Sequence, residues 1–290
     1  MRIVYHLGVH CTDEDRLIRT LVRNREVLGR LGIVVPQPAR YRTLLRDTLI
    51  ALRGQPASEE TQALTLDQIM EEDRAERLIL SNDDFLAYPQ WVLRGALYPT
   101  AGERLRAVTQ LWPDIPAEFH LAIRNPATFL PALFARQRGK SYDEFMSGCR
   151  PEGLRWSDMI ARICDQNPGV PLTVWCDEDT PLLWPEILRS VAGHPAALRL
   201  EGELDHIATL LAPEGYERMR AYLADHEPLT DDQRRRVFSA FLDKFARPDQ
   251  IEMELDLPGW TEDLLTALTE AYDADVARIG ALPGVRLLLP

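Results

Sequence analysis

The sequence predicts an α/β protein with a mostly parallel sheet and helices on both faces, because short apolar strands alternate with amphipathic helices over its first two thirds. Hydrophobic residues form 46% of the 290-residue chain and charged residues 27%, a balance typical of a globular protein with a large core. The strands are predicted from β-branched and apolar runs that end at glycine, proline or acidic residues. They cover residues 2–7, 33–35, 77–81, 118–124 and 171–176.

Amphipathic helices are predicted between these strands. The first begins near Thr12, since Thr12 and Asp15 have the spacing of a capping box, and its apolar residues recur at helical spacing as far as Leu31. Gly32 is expected to end this helix. Further helices are predicted over residues 41–52, 65–75, 101–112, 156–167 and 181–191.

The last third of the chain has a different pattern, which is almost entirely helical from about residue 204 to residue 282. Thr230 and Gln233 form a capping box at the start of one helix, and the final helix starts near Trp260. Residues 285–289 are predicted to form a short closing strand. We therefore predict an α/β core over 1–200 and a mainly helical extension over 201–290 that packs on it.

The composition restricts the class of partner. A net charge of −12 and a pI of about 5.0 argue against a general nucleic-acid or anionic-membrane binder, because both need a basic surface. The four cysteines form no CxxC pair, so neither a disulfide framework nor a zinc knuckle is expected. No apolar run is long enough to span a bilayer, and the chain begins with a strand pattern rather than a signal sequence. We expect a cytoplasmic protein.

The first strand, loop and helix are arranged like a phosphate-binding unit. In open parallel sheets ligands bind at the carboxyl ends of the strands, and a helix that starts there presents free N–H groups to an anion. The loop over 8–15 occupies that place, beside the loops at 81–84, 124–127 and 176–179. It lacks the GxxxxGK[ST] spacing of a Walker A loop, which disfavours a nucleotide-dependent kinase.

Several runs of the sequence resemble bacterial sulfotransferases. Residues 6–15, HLGVHCTDED, resemble the first loop of that family, HIGxHKTGTT, and residues 23–36, RNREVLGRLGIVVP, resemble its RNREALRRRGIxVP segment. Three later runs resemble its LILSSE, RDP and VW-x-x-ED elements, and they are LILS at 78–81, RNP at 124–126 and VWCDED at 174–179. Their order over roughly residues 1–195 implies a sulfotransferase-like P-loop fold.

This resemblance implies transfer of a sulfuryl group from 3′-phosphoadenylyl sulfate to a hydroxyl of a small-molecule or carbohydrate acceptor. His10 and Asp83 would then be catalytic, with Asp83 as a general base for the acceptor hydroxyl. The arginine of the RDP element binds the phosphate on the donor's ribose in that family. The positions that would contact the donor here are Gly8, Cys11, Thr12 and Arg124.

The chain departs from the family at the groups that hold the donor. The lysine of the family's loop falls on Cys11, its glycine on Asp13 and its next threonine on Glu14. A lysine there would neutralise sulfonate and phosphate oxygens, whereas carboxylates repel them. The serine of a second phosphate contact falls on Ala132. The alternative function is therefore a non-catalytic member of the family, a pseudoenzyme that acts as a binding or scaffold module.

Each of these positions also has a purely structural explanation. Acidic residues in a first turn complement the helix dipole, which would account for Asp13, Glu14 and Asp15. His10 either donates to an anion, acts as a base or hydrogen-bonds the loop backbone. Asp83 is either a general base or a helix N-cap.

Arg124 follows a strand at the edge where ligands bind, and it either contacts a phosphate or forms an ion pair with a nearby acid. The candidate acids are Asp83, Asp84 and Glu178. His6 lies within a strand and is expected to be a satisfied core residue. His6, His10 and Cys11 lack a recognised ligand spacing, so we predict no metal site.

Overall fold

The computed structural model describes residues 1–72, 74–137, 139–226, 229–251, 257 and 259–290. In these residues one six-stranded, all-parallel sheet has the strand order β2-β3-β1-β4-β5-β6, with helices on both faces. The predicted fold class is therefore confirmed. The strands are β1 Arg2–His6, β2 Ile33–Val34, β3 Arg77–Ser81, β4 Ala117–Ile123, β5 Leu172–Cys176 and β6 Val285–Leu288.

The helices of the described residues fill the connections between strands. They are α1 Arg16–Arg23, α2 Arg25–Gly29, α3 Pro38–Leu52, α4 Glu59–Ile69, α5 Ala101–Thr109, α6 Pro126–Ala135, α7 Tyr142–Met146, α8 Trp156–Gln166, α9 Thr180–Ala192, α10 Asp205–Ala208, α11 Pro213–Asp225, α12 Asp231–Phe245, α13 Pro248–Ile251 and α14 Glu262–Gly280. No helix among the described residues is both long and apolar enough to cross a membrane.

The central strand β1 is buried on both of its faces, which explains its continuous apolar run. Ile3 and Tyr5 pack into the larger core layer, together with α3, α5, α6, α8 and α14. Val4 points to the opposite layer, which is formed by α1, α2 and α9. Alternate residues of one strand therefore supply both cores.

The connections leave the sheet towards different faces at its carboxyl edge. The loop after β1 leads to α1 in the smaller core layer, whereas the loops after β3 and β4 lead to α5 and α6 in the larger one. A crevice opens in an open parallel sheet where neighbouring connections diverge in this way, and ligands bind there. This topology places the switch point beside the end of β1.

Two helices differ from the sequence-based expectation. The first helix starts at Arg16 rather than near Thr12, and Asn24 divides it into α1 and α2. The Asn24 side chain donates 2.8 Å hydrogen bonds to the carbonyls of Thr20 and Glu201, which ties this break to a distant segment. The helix expected over 65–75 lies earlier, at α4, because Ser58 caps it by accepting a hydrogen bond from the N–H of Thr61 at 3.2 Å.

The last third contains two kinds of structure. α11 and α12 form a separate small apolar cluster, and the capping box of Thr230 and Gln233 is confirmed at the start of α12. α14 packs against α6 and α8, and β6 pairs with β5, so both belong to the α/β core. The boundary near residue 200 stays a prediction. The helical pattern expected over 227–228, 252–256 and 258 lies outside the described residues.

Candidate functional site

The loop after β1, residues 7–15, has a strained backbone and is called the first loop below. Gly8 has a φ of 51°, and three residues with side chains are also left-handed: Cys11 at 65°, Glu14 at 51° and Asp15 at 65°. Each such residue costs about 1–2 kcal/mol relative to a right-handed conformation. Strain of this kind persists only where surrounding contacts hold it, and it concentrates at functional sites.

An arginine from a different element holds each of the three strained residues with side chains. The pairs are Arg124 with the Cys11 carbonyl, Arg42 with the Asp15 carboxylate and Arg136 with the Glu14 carboxylate. These guanidinium groups neutralise the loop itself. These three arginines are therefore already engaged with protein groups.

The contact between Arg42 and Asp15 is bidentate, with N–O distances of 3.0 and 2.5 Å. Arg42 lies on α3 and also donates through Nε to the carbonyl of Ser81 at 3.0 Å, so it links the ends of β1 and β3. The hydrogen bonds from Arg42 hold the pKa of Asp15 below its ordinary value, against the opposing effect of partial burial. Asp15 is therefore charged and paired at neutral pH.

Arg124 reaches the first loop by a different route. It donates to the Cys11 carbonyl through Nη1 and to Thr128 Oγ1 through Nε at 3.0 Å. Among the described residues no carboxylate pairs with Arg124, so the ion pair considered from the sequence is absent. Instead, Glu178 accepts a 2.8 Å hydrogen bond from the backbone N–H of Asn125.

Two donors that could hold an anion, the Thr12 hydroxyl and the backbone N–H of Leu17 at the start of α1, are already bonded to groups of the first loop. The Thr12 hydroxyl donates to the Val9 carbonyl at 2.6 Å. Asp13 Oδ2 accepts the N–H of Leu17 at 2.9 Å, so the protein's own carboxylate lies at the start of α1. Burial raises the pKa of the Cys11 thiol to about 11, which leaves it protonated at neutral pH.

His10 is the most enclosed polar residue of the first loop, with 1% of its surface exposed. Its Nδ1 lies 2.8 Å from the hydroxyl of Tyr98, and that hydroxyl also accepts the backbone N–H of His10 at 3.2 Å. The two rings stack with centroids 5.9 Å apart. Tyr98 therefore fixes both the position and the orientation of the imidazole.

The turn after β3 brings two carboxylates to the same place. Asn82, rather than Asp83, caps this turn by accepting the N–H of Asp84 at 3.3 Å, which frees both carboxylates. Nε2 of His10 lies 3.8 Å from Asp84 Oδ1 and 4.0 Å from Asp83 Oδ2. We call His10, Asp83 and Asp84 the acid–histidine cluster. Their three ligand atoms lie within 4.8 Å of one another.

Close packing between the two loops positions this cluster. A Cβ added at Gly8 would lie 3.3 Å from the Cβ of Asp83, so a larger residue would push the two loops apart. The positive φ of Gly8 independently disfavours a residue with a side chain, because the left-handed conformation is strained for such residues. Gly8 therefore serves the approach of the β3 turn, in addition to any role that the family resemblance implies.

Two cavities meet at Asp83. The loop cavity, of about 270 Å³, is lined by the first loop together with His6, Ser81 and Arg136. The helix cavity, of about 450 Å³, lies between α3, α5 and the turn after β3, and its lining includes Arg46 and Arg104. The acid–histidine cluster stands at their junction, where the side chains of Asp83 and Asp84 are 44% and 41% exposed.

His6 lies beneath the loop cavity as a buried strand residue, as predicted. Its Nδ1 lies 2.9 Å from Ser81 Oγ, and its ring stacks on Trp175 with centroids 6.0 Å apart. Burial lowers the pKa of His6, so it is neutral at physiological pH. Its Nε2 has no partner among the described residues, so the expected satisfaction is only partial.

The structure brings together most of the predicted site residues and adds four that the sequence analysis missed. Gly8, Cys11 and Asp83 line the loop cavity, and Nε2 of His10 lies near Asp83 at its junction with the helix cavity. The Thr12 hydroxyl is bonded within the first loop, and Arg124 approaches from the end of β4. Three of the missed residues are Arg42, Tyr98 and Arg136. The fourth is Asp84, which was considered from the sequence only as an ion-pair partner of Arg124 but lies in the acid–histidine cluster. Tyr98 is 88 residues from His10, and no local motif signals that contact.

No protein-family model matches this chain, and a search of curated proteins finds no match.

Proposed function

We propose that this chain is a small-molecule-binding protein on a sulfotransferase-like α/β scaffold, and that its cleft accepts a cationic group in place of the sulfate donor. The observation that carries the proposal is the Asp13 carboxylate at the start of α1, 2.9 Å from the N–H of Leu17. A helix start is the position where a donor phosphate would bind. The protein's own anion fills that position.

The charges around the loop cavity support a cationic ligand. Arg42 and Arg136 are paired with Asp15 and Glu14, whereas Asp83 has no arginine or lysine partner among the described residues. A phosphate charge about 4 Å from an unpaired carboxylate is repelled by about 4 kcal/mol at an effective dielectric constant of 20. Donor binding would have to overcome this repulsion at several oxygens.

A second candidate function, sulfuryl transfer from 3′-phosphoadenylyl sulfate, is favoured by one observation. Arg124 extends from the end of β4 to the first loop and contacts the Cys11 carbonyl, so two elements that resemble the family meet in space. In that reaction His10 and Asp83 would be the groups nearest the acceptor. The lysine that would neutralise the leaving group is still replaced by Cys11.

Calorimetric titration with adenosine 3′,5′-bisphosphate, the product of the donor, separates the two functions. We expect no heat of binding at millimolar ligand, because Asp13 occupies the anion position and Asp83 repels the phosphates. Binding that Arg124→Ala abolishes would overturn the proposal and favour sulfuryl transfer. Circular dichroism of both proteins checks that the fold is retained.

Removing the Asp13 carboxylate tests whether its charge is the reason that the bisphosphate does not bind. Asp13→Asn keeps an oxygen that accepts the N–H of Leu17 but removes the charge, so we expect affinity for the bisphosphate to increase. Asp67→Asn is the matched control, since Asp67 is an exposed carboxylate on α4 outside both cavities. Equal responses of the two variants would mean that Asp13 does not block the anion position.

A further inference from the structure

A buried nitrogen without a partner points at the two carboxylates of the acid–histidine cluster. His10 is 1% exposed, and its Nε2 has no hydrogen-bond partner among the described residues. The nearest carboxylate oxygens, at 3.8 Å on Asp84 and 4.0 Å on Asp83, are too distant for a hydrogen bond. Buried polar atoms in folded proteins almost always have a partner, so this gap requires an explanation.

The three atoms surround a point that a metal ion would fit. We propose that His10 Nε2 and one carboxylate oxygen each from Asp83 and Asp84 bind a divalent first-row metal ion. This inference rests on the proposed function, because it names the cation that the cleft accepts. Ligand atoms with bonds of about 2.1 Å in a tetrahedral site lie about 3.4 Å apart. The His10 Nε2 distances of 3.8 Å to Asp84 Oδ1 and 4.0 Å to Asp83 Oδ2 are slightly longer than this. Small rotations of the two half-exposed carboxylates would shorten both to about that spacing.

Tyr98 prepares the imidazole for this role. The tautomer that donates Nδ1–H to the Tyr98 hydroxyl, over 2.8 Å, leaves the Nε2 lone pair directed at the carboxylates. A histidine that binds a metal almost always donates its other ring N–H in this way, and the partner fixes the ring orientation. The stacked Tyr98 ring and its contact with the His10 backbone prevent the imidazole from turning away.

The local charge also favours a cation at this position. In the described part of the chain, neither Asp83 nor Asp84 pairs with an arginine or lysine. Arg104, the closest candidate on α5, donates instead to the backbone carbonyls of Asp84 and Phe85, at 2.6 and 3.3 Å. Two adjacent carboxylates therefore share one small volume without a direct ion pair to an arginine or lysine of the described residues, although Arg42, Arg46 and Arg104 line the same cavity. A divalent ion between the carboxylates would neutralise both.

The donor set indicates the class of metal. One imidazole nitrogen with two carboxylate oxygens suits Mn²⁺ or Zn²⁺ better than Mg²⁺ or Ca²⁺, which prefer oxygen ligands alone. Three protein ligands leave at least one coordination position free, as in sites that bind a further ligand. Asp83 lines both cavities and Asp84 lines the helix cavity, so a further ligand would reach that position from these cavities.

The test uses the full chain after dialysis against EDTA. Calorimetric titrations with MnCl₂ and ZnCl₂ are expected to show one site per chain, with MgCl₂ binding at least tenfold more weakly. Electron spin-echo spectroscopy of the Mn²⁺ complex is expected to show one imidazole nitrogen, and this signal should disappear in His10→Gln. Absence of binding of either ion at millimolar concentration would overturn the proposal.

Variants separate this site from adventitious binding. Asp83→Asn and Asp84→Asn are expected to reduce metal affinity at least tenfold each, and both side chains are exposed enough for the fold to tolerate the change. Asp67→Asn, the exposed carboxylate on α4, is the matched control and should retain full affinity. Metal binding that is unchanged in both cluster variants would also overturn the proposal.

The two proposals fail in different ways. If adenosine 3′,5′-bisphosphate binds the EDTA-treated chain in an Arg124-dependent manner, the proposed function is wrong even where the metal titrations succeed. If neither Mn²⁺ nor Zn²⁺ binds and the bisphosphate does not bind either, the metal site is wrong while the exclusion of the donor stands.

Discussion

Two groups of acidic and imidazole side chains in this protein have opposite charge environments. At the amino ends of the strands, Glu118 receives a bidentate contact from Arg77, at 2.7 and 3.1 Å, and lies 2.7 Å from His120 Nε2. We call these three residues the β4 ion cluster. At the carboxyl ends, the carboxylates of Asp83 and Asp84 form no ion pair with an arginine or lysine of the described residues, and His10 Nε2 lies 3.8 Å from Asp84 Oδ1.

The comparison shows how one set of residue types serves two purposes. In the β4 ion cluster every charge has a protein partner, so the cluster fixes the sheet against α9, where Arg77 also donates to the carbonyl of Val191 at 2.8 Å. In the acid–histidine cluster the carboxylates are half-exposed and have no guanidinium partner in the described residues. The first arrangement stabilises the fold, and the second leaves charge for a ligand.

The largest effect on stability is expected from removing an arginine of the β4 ion cluster. Arg77→Met leaves Glu118, whose side chain is only 14% exposed, without its main counter-charge, and we expect a loss of about 3 kcal/mol in the free energy of unfolding. Arg2→Met is the matched control, because Arg2 contacts the same carboxylate at 3.3 Å but is half exposed, and it should cost less than about 1 kcal/mol. Urea denaturation measures both. Equal losses would contradict the assigned role of Arg77.

Acid should weaken the β4 ion cluster, because Glu118 stabilises the fold only in its charged form. Burial alone would raise the pKa of Glu118, but hydrogen bonds from His120 and Arg77 outweigh it and lower this pKa to about 2. Because the pKa is depressed on folding, the stabilisation is complete above the unfolded value of 4.5 and is lost as the pH falls towards 2. The loss is expected to be roughly 2 kcal/mol after allowance for residual solvent.

Histidine protonation adds to this acid sensitivity at higher pH. Burial lowers the pKa values of both His6 and His120 in the folded chain, so the unfolded chain binds their protons first as the pH falls below 6.5. Stability is therefore expected to decline from pH 6.5 and again below pH 4.5. Denaturation at a series of pH values checks this, and Glu118→Gln should remove the lower-pH component. A Glu118→Gln profile that matches the wild type would contradict the assignment.

Much of the fold could be predicted from local pattern, and the site could be predicted only in part. Strand and capping signals depend on neighbouring residues, so β3 was predicted with its observed bounds and the capping box of Thr230 was found. The start of α1 was missed because left-handed residues at 11, 14 and 15 keep the chain irregular as far as Asp15, the N-cap, and no local pattern signals them. The partners that give the site its character come from distant segments, as Tyr98 does for His10, and no spacing rule reports such contacts.

A smaller effect is expected from the tyrosines that support each end of the cleft. Tyr98→Phe and Tyr41→Phe each remove a buried hydroxyl that makes two hydrogen bonds. The Tyr41 hydroxyl bonds the N–H and the carbonyl of Ser81, both at 2.9 Å. Each variant should lower the free energy of unfolding by about 1–2 kcal/mol. Only Tyr98→Phe should change the ¹⁵N shifts of the His10 ring and weaken Mn²⁺ binding, by about tenfold or more. Matching spectra for the two variants would show that Tyr98 does not orient His10.

The smallest effect on stability is expected where charge is uncompensated. Asp83→Asn removes one of two adjacent carboxylates that no arginine or lysine of the described residues neutralises, so its effect should lie within about 0.5 kcal/mol of zero and tend towards stabilisation. Glu118→Gln, at a carboxylate with four nitrogen contacts, should instead destabilise by about 2 kcal/mol. Urea denaturation in metal-free buffer measures both changes. Residues held for a ligand contribute little to stability until that ligand binds. A large loss of stability in Asp83→Asn would therefore mean that the carboxylate has a structural partner. The contrast between the two clusters would then fail.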